Sequence, residues 1–262
     1  LVSNTFIKTD NDVRGIYSDS KGRLWVATKG KKMYVSYDGK EIAIDRLFPK
    51  TSFPSAGVYV MLEDRKGNIW MGTKGDGLFK AVPVNDERNK YEIKQFVADA
   101  NNPESISHNS VYSLLEDRNG RIWVGTFGGG LNLVDDAGSG VKFYHYKNRL
   151  STYPSNGFNR VRHLATDANG KLWIGTTDGL LLFDPGAKDF LSGGFVKYGK
   201  IPGDKESLGD NDIQFIYRDS RNIIWLLTSS GGLNKAIGKD AMRSLRFVNY
   251  TKKDGLPSDY LL

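Results

Sequence analysis

Cysteine is absent from the 262 residues. That single absence excludes disulfides, thiolate metal centres and thiol nucleophiles together. Histidine is scarce: His108, His145 and His163 are the three present, and none stands at ligand spacing from another. No metal site and no cofactor are therefore expected. No run approaches 18 apolar residues, so nothing reads as a membrane-spanning helix. The stretch from Leu1 to Asp12 lacks a basic segment followed by an apolar one, so no signal peptide is visible. No glycine-rich loop leads into a helix and no basic run occurs, which argues against a phosphate cradle and against a nucleic-acid motif.

The composition that remains is that of a folded, water-facing protein, with 39% hydrophobic and 26% charged residues. Lysine and arginine number 37 against 30 aspartates and glutamates, a net charge of +7. An excess of that sign favours acidic partners, although a solvated basic surface accounts for it equally well.

Five tryptophans organise the chain: Trp25, Trp70, Trp123, Trp173 and Trp225. Each sits in the same phrase. In the third copy it runs from Val111 through Asp117, Gly120, Ile122, Trp123, Gly125 and Thr126 to Gly130-Leu131. Val-x-x-Ile/Leu-x-x-Asp opens a short strand. Asp-x-x-Gly then makes a tight turn, with the carboxylate accepting from turn amides and glycine taking the left-handed position. Gly22, Gly67, Gly120 and Gly170 fill that position, and the fifth copy has Asn222, the other residue type that best tolerates positive φ. Ile/Leu-Trp-x-Gly-Thr forms a second strand, a glycine-rich corner and Gly-Leu begin a third, and an alternating stretch such as Leu245–Tyr250 supplies a fourth. Four antiparallel strands every 50 residues or so describe a propeller blade, which needs neighbours to cover its faces. The expected fold is an all-β propeller with blades near 1–50, 51–100, 101–150, 151–203 and 204–255. Residues 256–262 resemble the start of a further blade, so a larger, seven-bladed ring is expected. The tryptophans read as structural plugs between blades. The first copy departs at Ala27 and Lys32 and the fifth at Leu227, where glycines stand elsewhere, so altered corners are expected there.

These residues resemble a known family. Asp64-Arg-Lys-Gly-Asn-Ile-Trp-Met-Gly-Thr73, Asp117–Asn132 and the linker Asn102-Pro-Glu-Ser-Ile-Ser-His-Asn-Ser-Val111 are similar to the two-component regulator propeller repeat. The resemblance implies the sensory ectodomain of a hybrid two-component histidine kinase, lying in the periplasm and often built from two seven-bladed rings. It further implies oligosaccharide ligands, a homodimer formed through the parent ectodomain, and contact with the membrane only through the parent protein. The repeat residues themselves are structural and carry no ligand set.

A ligand site is expected where loops gather at one end of the ring. The second residue of each first strand gives Arg14, Tyr59, Tyr112, Arg162 and Gln214. The residue after each repeat threonine gives Lys29, Lys74, Phe127, Thr177 and Ser229, and Lys31, Asn109, Arg160 and Asp212 lie nearby. Aromatic faces suit sugar rings and arginine forks suit carboxylate or sulfate. The plain alternative is that these side chains pack along blade edges. Catalysis has little support in the sequence. Only Asp12 and Asp212 offer a carboxylate pair at this end for glycoside hydrolysis, and one aspartate repeated five times is a turn residue. A propeller lyase of the streptogramin-lyase type has a similar repeat and is one rival; a protein-interaction or dimerisation propeller is the other.

Overall fold

The computed structural model describes residues 12–28, 32–49, 57–85, 87–137 and 140–261. They form five four-stranded antiparallel sheets, each a simple meander. Blade 1 holds β1 (Val13–Ser18), β2 (Leu24–Thr28), β3 (Met33–Tyr37) and β4 (Lys40–Ile42), followed by a helical turn, α1 (Ile44–Leu47). Blade 2 holds β5 (Val58–Glu63), β6 (Ile69–Thr73), β7 (Leu78–Pro83) and β8 (Tyr91–Phe96). Blade 3 holds β9 (Val111–Glu116), β10 (Ile122–Thr126), β11 (Gly130–Asp135) and β12 (Lys142–Tyr144). Blade 4 holds β13 (Val161–Thr166), β14 (Leu172–Thr176), β15 (Gly179–Phe183) and β16 (Val196–Tyr198). Blade 5 holds β17 (Ile213–Arg218), β18 (Ile224–Thr228), β19 (Leu233–Asp240) and β20 (Ser244–Tyr250). The first strands pack against one another in chain order. This is the β-propeller that the repeat predicts.

The Asp-x-x-Gly turn behaves as its residues require. Asp117 Oδ1 accepts from the amides of Asn119 and Arg121, and Gly120 closes on the Asp117 carbonyl at φ +76°. Asn222 takes the same position at φ +63°. The other carboxylate oxygen has a duty that the turn alone does not reveal. In every blade Oδ2 accepts from the indole Nε1 six residues on: Asp19 from Trp25, Asp64 from Trp70, Asp117 from Trp123, Asp167 from Trp173 and Asp219 from Trp225, at 2.8–3.2 Å. The turn and the plug are thus one unit, and the buried indole N–H is satisfied within its own blade. Burial works to raise the Asp117 carboxyl, but the bonds from Trp123 and Arg121 hold it below the usual carboxylate range.

The core is divided among the blade junctions. Trp25 packs with Ile69 and Met71 of blade 2, and Trp70 with Val111 and Val124 of blade 3. Trp123 packs with Val161 and Ile174 of blade 4, and Trp173 with Ile213 and Leu226 of blade 5. Each of these four indoles therefore points forward under the next blade. The linkers lock the blades behind them: Gly77 N donates to the Asn109 carbonyl, Gly130 N to that of Asn159 and Gly232 N to that of Asp259. His145 lies just beyond β12 rather than on a strand, buried with Nε2 3.2 Å from the Ser105 carbonyl.

Ala27 and Leu227 do not mark altered corners. They lie inside β2 and β18, at the positions of Gly72, Gly125 and Gly175. A Cβ on Gly125 would stand 2.6 Å from Val161 Cγ1 of the next blade, so glycine there sets how closely two blades approach. At Ala27 the junction is looser, with a cavity of about 160 Å³ lined by Ala27, Gly15, Val58 and Met61. Gly125→Ala is expected to destabilise the protein by about 1–3 kcal/mol through overpacking, measured by urea denaturation. An unchanged midpoint would show that the junction can widen freely.

Candidate functional site

Each first strand carries the same irregularity. Its first residue pairs normally with the repeat threonine of the second strand, the next residue is skipped, and pairing resumes at the third. The skipped residues are Arg14, Tyr59, Tyr112, Arg162 and Gln214. These five bulges occupy the second strand positions singled out from the sequence. A bulge leaves its extra residue unpaired and re-aims the side chain, so the blades deliver five side chains to one end of the ring by one backbone device.

Four of the five join a continuous ladder. The Arg14 guanidinium lies 4.8 Å from the Tyr59 ring centroid. Tyr59 stacks on Tyr112 with centroids 4.6 Å apart and planes at 14°, and Tyr112 stacks on Phe127 at 4.8 Å and 17°. Phe127 is covered in turn by Arg162 at 5.3 Å and Arg160 at 5.6 Å. Arg162 ends in a fork with Asp212, whose two oxygens accept from Nε at 2.9 Å and Nη2 at 3.2 Å. The ladder therefore crosses all five blades, from β1 to the residue before β17. Burial first, then the neighbouring Tyr59 hydroxyl, pushes the Tyr112 phenol up, against the opposing pull of Arg162 and Arg14.

This geometry changes how the site can recognise a ligand. The ring faces are consumed by one another and by the arginines, so they are not platforms for sugar rings. Tyr59, Tyr112 and Phe127 are half-buried, and the exposed members are the arginines Arg14 and Arg160. These two have no ion-pair partner among the described residues. Asp212, one of the two carboxylates considered for catalysis, is engaged by Arg162. Among the described residues no group of three or more His, Asp or Glu could hold a metal ion.

The remaining sequence candidates divide. Lys74 is exposed, and its backbone bridges to Ser110 ahead of β9. Asn109 is structural: its Oδ1 accepts from Ala98 N at 2.7 Å and its carbonyl from Gly77 N. Gln214 is a half-buried bulge residue outside the stack. Lys29 and Lys31 lie outside the described residues.

Fold and site together define a repeat propeller whose mouth is lined by a cation–aromatic ladder. Residues 8–30, 52–75, 105–128 and 157–178 match the two component regulator propeller family. The chain thus carries two-component regulator propeller repeats, one spanning the first two strands of each of blades 1 to 4. It is similar to the extracellular domain of the putative hybrid two component system BT3049 from B. thetaiotaomicron, with 29% identity and a TM-score of 0.68 over 95% of this chain and 30% of that one. PorZ of Porphyromonas gingivalis, a surface component of the type-IX secretion system, is 21% identical with a TM-score of 0.65 over 95% of this chain and 35% of that one. Virginiamycin B lyase from Staphylococcus aureus is 15% identical with a TM-score of 0.62 over 96% of this chain and 74% of that one. At those lower identities the likeness shows the fold alone. The chain spans 30% of the length of the extracellular domain it resembles. No curated protein matches it.

Proposed function

We propose that this chain is the ligand-sensing propeller of a hybrid two-component signalling protein, held in the periplasm, and that its ligand is an oligosaccharide bearing carboxylate or sulfate groups. The likeness to an extracellular two-component domain supports the sensory role. The observation that carries the ligand class is the ladder: its stacked faces are occupied, while the exposed guanidinium groups of Arg14, over Tyr59, and Arg160, over Phe127, have no ion-pair partner among the described residues. Guanidinium forks pair with carboxylate and sulfate, and the phenol hydroxyls between them suit sugar hydroxyls. On this reading the propeller binds its ligand and leaves the chemistry of signalling to the rest of the parent protein. Binding acts by favouring one of two arrangements of a paired ectodomain, to the extent that the ligand's affinity differs between them.

Calorimetric titration of the complete ectodomain against neutral and acidic oligosaccharides tests this. An acidic member is expected to bind saturably and to weaken with salt. Arg160→Ala is expected to weaken it by about tenfold or more, the loss of one charge-assisted hydrogen bond. Absence of heat with every member would reject the glycan reading and favour a protein partner instead.

A further inference from the structure

The ladder lies at the end of the ring where the first strands begin. At the opposite end, by the Asp-x-x-Gly turns, the junction between blades 1 and 2 opens into a cavity of about 590 Å³. That lies within the range of small-molecule sites, about 300–1,000 Å³. Its apolar wall comes from Tyr37, Ile42, Leu47 and Pro49, contributed by β3, β4 and the α1 segment. Tyr37 is a large aromatic that is 55% exposed. Lys21, Arg46 and Lys90 stand around it, all exposed and without an ion-pair partner among the described residues. Asp45 and Glu87 are also present, and Glu87 accepts from the Asn89 side chain.

Arg23 reaches the same cavity and is 5% exposed. Its Nε donates to Asp19, Nη1 to the Arg88 carbonyl and Nη2 to the Tyr91 hydroxyl. A guanidinium has five N–H groups, so one on each terminal nitrogen is left without an acceptor among the described residues. Buried donors of this kind are costly to leave unmade. The repeat supplies a comparison. Arg121 holds the matching place in blade 3, bonded to Asp117 and to the Pro185 carbonyl. There the chain itself lays an aromatic ring on the guanidinium, with Phe190 at 4.4 Å. In blade 1 the rings of Tyr91 and Trp25 stand farther off, each 5.5 Å from the Arg23 guanidinium, and the cavity opens beside it.

We propose that the cleft between blades 1 and 2 is a second ligand site, which takes a small aromatic anion: the ring against Tyr37 and Leu47, the carboxylate or sulfonate at Arg23, with Lys21, Arg46 and Lys90 at the mouth. It is independent of the rim and of the glycan reading. The test is fluorescence titration of the 262-residue chain with anilinonaphthalene sulfonate, and with the uncharged phenylnaphthylamine as its control. Saturable binding of the sulfonate at one site is expected, with the neutral dye weaker by about tenfold, as one desolvated ion pair would give. The exposed substitutions Lys21→Glu with Arg46→Glu are expected to weaken the sulfonate by a similar factor at an unchanged melting temperature, and Tyr37→Ala is expected to weaken both dyes. Arg160→Ala at the rim is expected to leave both alone. Equal binding of the two dyes, indifference to the cleft substitutions, or loss with Arg160→Ala would each overturn the proposal.

Discussion

Trp123→Ala is expected to destabilise the protein by about 3–5 kcal/mol, the cost of emptying a large buried aromatic site, while Trp225→Ala is expected to cost well under half as much. The two indoles hold the same place in the repeat and the same bond to an aspartate. They differ in what lies over them. Trp123 is 0% exposed, packed under Leu172 and Ile174 and met edge-on by Phe183 and Phe190. Trp225, on the fifth sheet, is half-buried, with Tyr250 and Lys235 as its nearest ring and cation partners. The same asymmetry appears at the other face. The first apolar residue of β9 and of β13 is 0% exposed, whereas Val13 of β1 is 46% exposed. Stability therefore resides in junctions, as it does in repeat proteins generally. Part of the loss at Trp123 is the donor taken from Asp117, and Trp123→Phe separates the two contributions by keeping a ring while removing Nε1. Equal losses at Trp123 and Trp225 by chemical denaturation would mean that the indole stabilises its own blade, through Asp, rather than the junction.

The blade, its turns and its linkers were legible because each is specified locally. Asn222 in the glycine position announces a left-handed residue, and Asp259 stands where Asn109 does. The positions of the rim candidates were legible too, since a fixed place in each first strand returns to the same place in each blade. What the spacing concealed was the cause and the consequence. Val-x-x-Ile reads as a regular strand, and nothing in it betrays that the second residue is a bulge. The contact between Tyr59 and Tyr112 joins residues in different blades, and its stacked geometry depends on how far two blades are apart. That distance is set by Gly72, where an added Cβ would stand 2.5 Å from Val111 Cγ1, and the sequence shows this glycine only as part of a motif. The indole–aspartate bond had a signal, the constant six-residue spacing, that reads as turn chemistry until the fold is seen. The cleft between blades 1 and 2 had none. It arises from α1 and from the turn after β7, which belong to no repeat.

Acidification from pH 6.5 to 4 is expected to destabilise the protein, and His163 is expected to account for a large part of the loss. His163 lies in β13 with its ring 4.0 Å from that of Phe215, and its Nδ1 accepts from Ile216 N at 3.4 Å. Burial pushes the imidazole from 6.5 down to about 4. A group buried in its neutral form takes up a proton more readily when the chain unfolds. Its stabilising contribution is therefore complete above pH 6.5, shrinks as the unfolded chain protonates, and is fully lost below about pH 4. The gap corresponds to at most about 3 kcal/mol. Protonation also removes the lone pair that Ile216 N uses, so the charged form weakens the junction of blades 4 and 5 directly. His108 and His145 are likewise lowered by burial and add in the same direction. Asp117, held below its ordinary value, adds only near and below pH 3.8. Urea midpoints at pH 7, 5.5 and 4 measure the slope. His163→Gln removes the titration while keeping a side-chain acceptor, so the variant should start less stable at pH 7, having lost the ring contact with Phe215, yet fall less steeply. Parallel curves for the two proteins would show that the His163 ring is solvated in the folded state and that acid acts elsewhere.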